Sequence, residues 1–218
     1  MTDEIRDRLT QLSTTNLSDA LESMQLSGGV FGVNRTWEGC EKIVGEAVTV
    51  KLMPVDGTPS KTHLGVNAIE AASKGDVIVV DNGGRIDVSC WGGVLATGAK
   101  MKGISGVVID GACRDVDDYA ELGFSVYARG SVVATARGRI KEACTNAPVR
   151  FAGVEVCPGD IVMADRSGIV FVPHGKMEAV LEKAEQLLAK EEAMCADLRS
   201  GMSSLAVDQK YNYEKMLK

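Results

Sequence analysis

The chain has 218 residues, of which 45% are hydrophobic and 25% are charged, and its formal net charge at pH 7 is −6. This length suits a single domain with one sizeable core, and the composition is that of an ordinary globular protein. The negative charge argues against a surface that binds nucleic acid or an anionic membrane, and no apolar run approaches membrane-spanning length.

Cysteine and histidine usage restricts the classes of site. The six cysteines are scattered without a Cys-x-x-Cys pair, which is typical of reduced thiols and not of a disulfide frame or a zinc site. Together with a start that does not resemble a signal peptide, they predict a cytoplasmic protein. Only two histidines occur, so a histidine-rich metal site is excluded. A Ser-His-Asp triad stays open by count, but no Gly-x-Ser-x-Gly motif accompanies either histidine.

Helices and strands are predicted throughout the chain, which indicates the α/β class. Helical spacing is found in Asp3–Leu12, Thr15–Glu22, His63–Ala72 and Lys176–Arg199. Apolar or alternating runs predict strands over Ile43–Val50, Val77–Asp81, Val107–Ile109, Phe124–Gly130, Val132–Ala136, Val149–Val156, Asp160–Ala164 and Ile169–Val172. Asn16 or Ser18 is the expected cap of the second helix. We find no domain boundary, so residues 1–218 are predicted to form one domain with 203–218 as a peripheral tail.

The segment Cys90–Ala99 predicts a helix that opens at two glycines, Gly92 and Gly93. A helix N-terminus presents free amides and a partial positive charge, so Gly93, Val94 and Leu95 could hold an anionic oxygen. The alternative is that the glycines only allow close packing. The sequence alone does not decide between the two.

The most informative stretch runs from Gly106 to Asp115, where a buried strand ends in a turn and is followed by Arg114 and Asp115. Ligands of α/β folds usually bind at this edge of the sheet. An arginine offers a planar fork of donors to a carboxylate, and an aspartate offers hard oxygen to a divalent ion. The structural alternative is that Asp115 caps the next helix with Asp118 as its capping partner, and the pair taken alone favours that cap.

A basic segment follows within this acidic protein. Its members are Arg129, Arg137, Arg139 and Lys141. Such a segment could meet an anionic substrate or a neighbouring subunit, although a solvated face is the commoner arrangement.

An ordered set of motifs resembles a known family. In chain order they are Asp81-Asn82-Gly83-Gly84, Trp91-Gly92-Gly93, Val108–Asp115, Phe124–Gly130, Pro158-Gly159-Asp160, Asp165–Pro173 and Lys190-Glu191. The set resembles the class II pyruvate aldolases typified by 4-hydroxy-4-methyl-2-oxoglutarate aldolase, whose superfamily includes the regulator of ribonuclease E activity. The resemblance covers nearly the whole chain, and it is specific because the motifs occur in order.

The resemblance implies an α-β-β-α sandwich that assembles as a homotrimer or homohexamer with sites between subunits. It implies a small anionic 2-oxo acid as substrate and Mg²⁺ or Mn²⁺ as cofactor, with Asp115 as metal ligand and Arg114 as the catalytic, pyruvyl-binding arginine. The amides of Val94 and Leu95 would hold the substrate carboxylate. Glu191 would be contributed by the adjacent subunit. The implied activity is cleavage of a carbon–carbon bond with release of pyruvate, accompanied by oxaloacetate decarboxylation.

The chain departs from the family pattern at Gly93. The aldolases carry an acidic residue twenty-one positions before the arginine, and a glycine leaves the metal with one carboxylate fewer. Asp110, Asp87 or the substrate could compensate. This departure keeps another 2-oxo or sugar-acid lyase of the superfamily open, whereas Asp115 favours an enzyme over the non-catalytic ribonuclease regulator, which lacks the metal-binding aspartate.

Overall fold

Helices and strands alternate along the chain in a computed structural model that describes residues 1–58 and 62–215. The helices are α1 (Asp3–Gln11), α2 (Thr14–Ser23), α3 (Val66–Ala71), α4 (Gly93–Lys102), α5 (Val116–Leu122), α6 (Met177–Arg199) and α7 (Ser204–Tyr211). The strands are β1 (Gly29–Val30), β2 (Asn34–Arg35), β3 (Ile43–Pro54), β4 (Val77–Ser89), β5 (Gly106–Cys113), β6 (Ser125–Ser131), β7 (Ile140–Thr145), β8 (Val149–Phe151), β9 (Val154–Val156), β10 (Ile161–Ala164) and β11 (Ile169–Val172). This is the mixed α/β fold that the sequence predicts.

The strands form a large mixed sheet whose order is β1-β11-β10-β3-β4-β5-β6-β2, with β7 paired to β3 beside this path. Strands β3, β4, β5 and β6 are parallel neighbours. The other pairs are antiparallel, and β8 and β9 form a separate hairpin. Strand β3 joins the two halves, since its first residues pair with β10 and its later ones with β4.

Three hydrophobic clusters show how the layers stack. Along β4, Val77 and Val79 face a central cluster shared with β10 and β11, whereas Ile78 and Val80 face a cluster covered by α3, α4 and α5. The third cluster lies between β10 and β11 and the helices α1, α2 and α6. The order is therefore helices, sheet, sheet, helices, and the predicted α-β-β-α sandwich is confirmed. Each aliphatic side chain buried in these layers contributes about 1.5–3 kcal/mol.

The cap of α2 differs from the prediction. Ser13, and neither Asn16 nor Ser18, is the N-cap, because its hydroxyl accepts from the Asn16 amide at 3.2 Å. Asn16 reciprocates by accepting from the Ser13 amide at 3.0 Å, which completes a capping box.

Two of the predicted strands are wrong in detail. Residues 132–136 form a loop, because Val132 donates to Cys113 and Ala134 accepts from Ser89 without a continuous ladder. The run 149–156 is the β8–β9 hairpin, which turns at Ala152 and Gly153 with φ values of 48° and 93°. An alanine in the left-handed region is uncommon, so this apolar run contains no sequence signal for a turn.

The C-terminal segment is tied to α6. Val207 of α7 is buried, and Asp197 of α6 accepts hydrogen bonds from Lys210 and from the Tyr211 hydroxyl. The last positions of the predicted tail, 216–218, lie outside the described residues. Among the helices that the structure describes, none combines the length and apolarity needed to cross a membrane.

Candidate active site

Asp115 follows the end of β5 in the chain, and its side chain contacts the start of α4. It is the N-cap residue of α5 in the left-handed conformation (φ 59°, ψ 44°), but its side chain makes no capping bond to α5. Its Oδ2 accepts instead from the Gly93 amide of α4 at 3.0 Å. The expected cap of α5 with Asp118 as partner is therefore wrong, because the carboxylate turns to the neighbouring helix. A left-handed aspartate costs of the order of 1 kcal/mol, and such residues cluster at functional sites.

The two glycines at the start of α4 make room for acidic side chains. A Cβ at Gly92 would lie 2.7 Å from Asp115 Oδ2, and one at Gly93 would lie 1.9 Å from Asp118 Oδ2. The sequence left open whether these glycines only allow close packing or whether the amides at the helix start hold an anionic oxygen. The glycines do allow close packing, and the Gly93 amide also donates to an oxygen of the Asp115 carboxylate. Position 93 lacks the family's acidic side chain, and the Asp118 carboxylate from α5 occupies the adjacent space.

The first amides of α4 form a donor group for an anion. Ala96 is the first residue of this helix to donate to an earlier carbonyl, that of Gly92. Gly93 donates to Asp115, whereas the Val94 and Leu95 amides have no acceptor among the hydrogen bonds of the described residues. Such amides carry the partial positive charge of the helix N-terminus. An oxygen of a substrate carboxylate would satisfy both.

These groups line one cavity of about 100 Å³. Its lining residues are His63, Ser89, Cys90, Trp91, Gly92, Val94, Leu95, Arg114, Asp115, Thr135, Ala136 and Arg137. The Arg114 amide is held by the Trp91 carbonyl at 3.0 Å, and its Nε lies 3.3 Å from Asp115 Oδ2. The structure therefore brings four of the predicted site residues, Arg114, Asp115, Val94 and Leu95, to one place, with Gly93 bonded to Asp115.

Two ionisable residues of this cavity are absent from the predicted site residues: His63 was named only within a predicted helix, and Arg137 was named only within the basic segment. His63 precedes α3, and burial lowers the pKa of its imidazole, with further lowering by the positive charges of Arg137 and Arg114. Arg137 belongs to the basic segment, whose other members are engaged elsewhere: Arg129 binds Asp110, Arg139 binds the Thr135 carbonyl and Lys141 binds Asp56. A lone histidine before a helix carries no sequence signal for a site, whereas the basic segment did signal Arg137.

Glu191 does not line the cavity. It lies on α6, where its carboxylate accepts from the Asn16 side-chain amide at 3.1 Å. The two acidic residues named as substitutes for position 93 are also engaged away from the cavity, Asp110 with Arg129 and Asp87 with Arg85.

The donor set fits a divalent ion that keeps several water ligands. One oxygen of Asp115 is held by an amide, and its Oδ1 has no partner among the hydrogen bonds of the described residues. The Asp118 carboxylate likewise has no hydrogen bond or ion pair within residues 1–58 and 62–215, and it lies at the same helix start. No group of three or more His, Cys, Asp or Glu suited to a metal occurs in that part of the chain. Mg²⁺ typically uses one or two carboxylates plus substrate and water.

Comparison with known proteins places the chain among aldolases and ribonuclease regulators. The family model "RraA-like: Aldolase/RraA" matches residues 14–171. Protein DlpA of Legionella pneumophila is 30% identical over 95% of this chain, although the chain spans only 34% of the length of DlpA. A protein of Halalkalibacterium halodurans named "Putative 4-hydroxy-4-methyl-2-oxoglutarate aldolase" is 33% identical over 84% of this chain and 82% of its own length.

Solved structures agree with this relationship. An uncharacterized protein from Pseudomonas syringae pv. tomato superimposes with a TM-score of 0.85 at 30% identity, covering 96% of this chain and 97% of the other. Streptomyces coelicolor RraAS2, described as an unusual member of the RNase ES inhibitor RraA protein family, gives a TM-score of 0.79 at 28% identity, covering 88% of this chain and 96% of its own. The sequence match and the shared fold together show that this chain is a member of the RraA-like family of aldolases and RraA proteins.

Proposed function

We propose that this protein is a metal-dependent lyase that cleaves a carbon–carbon bond of a small 2-oxo acid and releases pyruvate. The observation that carries the proposal is the position of the Asp115 carboxylate, which sits at the start of α4 beside two amides without acceptors and beside Arg114. The names of several relatives as aldolases support the same reaction class.

The α4 amides and Arg114 would bind the two ends of the pyruvyl group. Val94 and Leu95 donate to the substrate carboxylate, where the helix dipole favours negative charge. Arg114 places a permanent cation at the keto oxygen, on which charge accumulates when the carbon–carbon bond breaks. Fixed donors aimed at developing charge stabilise a transition state by several kcal/mol, removal of one costing about 2.7–4 kcal/mol.

Asp115 and Asp118 are the residues that would hold a Mg²⁺ or Mn²⁺ ion. When bound, the ion supplies Lewis-acid stabilisation of the charge on the pyruvyl fragment. Asp115 is fixed for this role by the Gly93 amide, which holds its Oδ2, while its Oδ1 has no hydrogen bond among the described residues. Asp118 supplies the carboxylate that position 93 lacks.

A homotrimer or homohexamer belongs to the proposal. Glu191 lies outside the cavity of its own chain, so a role in substrate binding requires that a neighbouring subunit present it. In the cytoplasm, a small anionic 2-oxo acid would be the ligand of the assembled site.

The deciding experiment measures pyruvate release from oxaloacetate and from 4-hydroxy-4-methyl-2-oxoglutarate, with added Mg²⁺ or Mn²⁺ and with excess chelator. We expect turnover with the ion and background rates with the chelator. Calorimetric titration of Mn²⁺ into the wild type and into Asp115→Asn adds a readout that is independent of turnover, and the variant should bind the ion more weakly. Release that persists undiminished in chelator contradicts the metal role. The absence of release from both substrates favours a non-catalytic regulator; RraAS2 is described as a member of an RNase ES inhibitor family.

A further inference from the structure

His63 occupies a particular place in the site. It lines the cavity that holds Arg114 and Asp115, and it also lines an adjoining cavity of about 560 Å³. Arg137 is the other residue shared by both cavities. If the pyruvyl end of the substrate lies against α4, the rest of the substrate extends towards the second cavity. The bond that breaks then lies near the junction, which is where the imidazole is.

Cleavage of an aldol requires a group that removes the proton of the substrate hydroxyl. Arg114 and Arg137 stay protonated and cannot accept it. Burial raises the pKa of the Cys90 thiol, which donates to the Ala112 carbonyl. Asp115 accepts from Gly93 and belongs to the proposed metal site. Among the ionisable side chains lining the inner cavity, His63 is the remaining proton acceptor.

The segment that carries His63 is held firmly against the site. The Gly65 amide donates to Glu142 of β7 at 2.8 Å, and Glu142 also accepts from Asn67 at 2.7 Å. Gly65 has a φ of 80°, and a Cβ there would lie 2.9 Å from the Trp91 ring. A side chain at position 65 would therefore collide with Trp91, which lines the same inner cavity as His63.

The charges around His63 favour the neutral imidazole. Arg114 after β5 and Arg137 in the 132–139 loop both act on it, and burial and these two cations lower its pKa. Asp115 and Cys90 line the same cavity, and Lys141 lines the adjoining cavity together with His63. A neutral imidazole at neutral pH is in the correct protonation state to accept a proton.

We propose, resting on the lyase function above, that His63 is the general base of aldol cleavage. Its imidazole accepts the proton of the substrate hydroxyl while the carbon–carbon bond breaks. The hydroxyl oxygen becomes the carbonyl oxygen of the leaving fragment, and the bonding electron pair passes to the pyruvyl fragment as an enolate. The imidazolium then returns the proton to the methylene carbon of that enolate, which gives the methyl group of pyruvate and restores neutral His63.

The test compares two reactions of the same enzyme. Oxaloacetate loses carbon dioxide and has no hydroxyl proton to remove, whereas 4-hydroxy-4-methyl-2-oxoglutarate does. For His63→Asn we expect the ratio of the aldol rate to the decarboxylation rate to fall by roughly a hundredfold, within the range for a removed general base. His174→Asn is the matched control, because His174 is exposed like His63 but lies outside both cavities, and the ratio should not change.

Two further measurements keep the result interpretable. In His63→Ala, added imidazole should restore aldol cleavage in proportion to its neutral form. For the wild type, the kcat of aldol cleavage should fall as the pH drops below the ordinary histidine pKa of about 6.5. The kcat of oxaloacetate decarboxylation should not show this decrease. If both rates fall by the same factor in His63→Asn and imidazole restores neither, His63 is not the base. If the wild type converts neither substrate, the lyase function fails and this role fails with it.

Discussion

Asp118 and Gly93 share one space at the start of α4: the Asp118 Oδ2 lies where a Cβ on Gly93 would come within 1.9 Å of it. The two positions are on different helices, but only one of them can carry a side chain here. In this chain the carboxylate comes from α5 and the glycine from α4. The effects of substitutions at these two positions and in the surrounding site on stability and activity can be measured.

Gly93→Ala should destabilise the fold, because the new methyl group would clash with the Asp118 Oδ2, Cγ and Cβ atoms. Asp118 is exposed and its carboxylate has no partner among the described residues, so it can rotate away and the cost should lie at the low end of the roughly 1–3 kcal/mol of overpacking. Gly98→Ala in the same helix is the control, since its Cβ meets only Ile69 Cδ1 at 3.7 Å and the higher helix propensity of alanine adds up to about 1 kcal/mol. Urea unfolding measures both. The double variant Gly93→Ala/Asp118→Ala removes the clash and should recover part of the lost stability. If the changes in the free energy of unfolding of the two single variants simply add in the double variant, the two side chains do not compete for this space.

Asp115→Asn separates the structural role of this residue from its chemical role. Asparagine also tolerates the left-handed conformation and can accept from the Gly93 amide, so the free energy of unfolding should change by less than about 1 kcal/mol. The proposed metal site would lose an anionic ligand, and kcat should fall by at least roughly a hundredfold, about 2.7 kcal/mol. Asp115→Ala, which loses the acceptor too, should be destabilised further. Turnover and Mn²⁺ affinity that survive in Asp115→Asn would show that the residue only holds α4.

Arg114→Lys should lower kcat/KM by about tenfold or more. An ammonium group keeps the charge but cannot present two parallel donors in the plane of the substrate oxygens. Arg85→Lys serves as the control, because Arg85 pairs with Asp87 on an exposed part of β4 outside the cavity. Steady-state kinetics on oxaloacetate report both variants. Equal kinetics of Arg114→Lys and the wild type would remove Arg114 from the proposed site.

Mixing two inactive variants tests whether sites are shared between subunits. Asp115→Asn and Glu191→Gln affect residues that lie apart within one chain. If a neighbouring subunit supplies Glu191, subunit exchange between the two variants should create some sites that carry both native residues, and part of the activity should return. Light scattering should show a trimer or hexamer. A monomeric mass with full activity, or no recovery despite verified exchange, contradicts shared sites.

Asp197→Asn should loosen α7 without affecting turnover. Lys210 and the Tyr211 hydroxyl lower the pKa of the Asp197 carboxyl by hydrogen bonding to it. A lowered pKa in the folded state stabilises the docked helix above the unfolded pKa of about 3.9, and that stabilisation is lost as the pH falls through the lower folded value. Hydrogen exchange of residues 204–211, corrected for intrinsic rates, should be faster in the variant at neutral pH. Unchanged protection would show that Val207 packing alone holds α7.

The resemblance to a known family implied the sandwich, whereas the residue pattern itself predicted the buried strands within it. Val77 to Val80 and Val107 to Ile109 are apolar on both faces, as is expected for strands that are buried between two layers. The helix that starts at Gly92-Gly93 was also predicted, from the paired glycines and the small residues that follow them. Turns formed by residues without a turn preference, such as the turn at Ala152, were not predicted from the sequence.

The site was only partly predictable for a related reason. Arg114 and Asp115 follow a strand directly, so their position at the sheet edge can be inferred from the chain itself. The partnership of Asp115 with Gly93 and the placement of Asp118 depend on how α4 and α5 pack, which no local pattern encodes. His63 lines the cavity from a separate loop before α3, next to a turn at Gly65 that lies close to Trp91, and no local pattern predicts this placement.

The distribution of these residues along the chain has a consequence for how such an enzyme changes. Arg114, Asp115 and Asp118 lie within five consecutive residues, whereas His63 and Arg137 come from two separate loops. Mutations that reshape those loops can alter which substrates are accepted while the five-residue segment stays intact. In the proposed enzyme, changes in these loops around His63 and Arg137 could therefore alter substrate preference while the proposed metal site is kept.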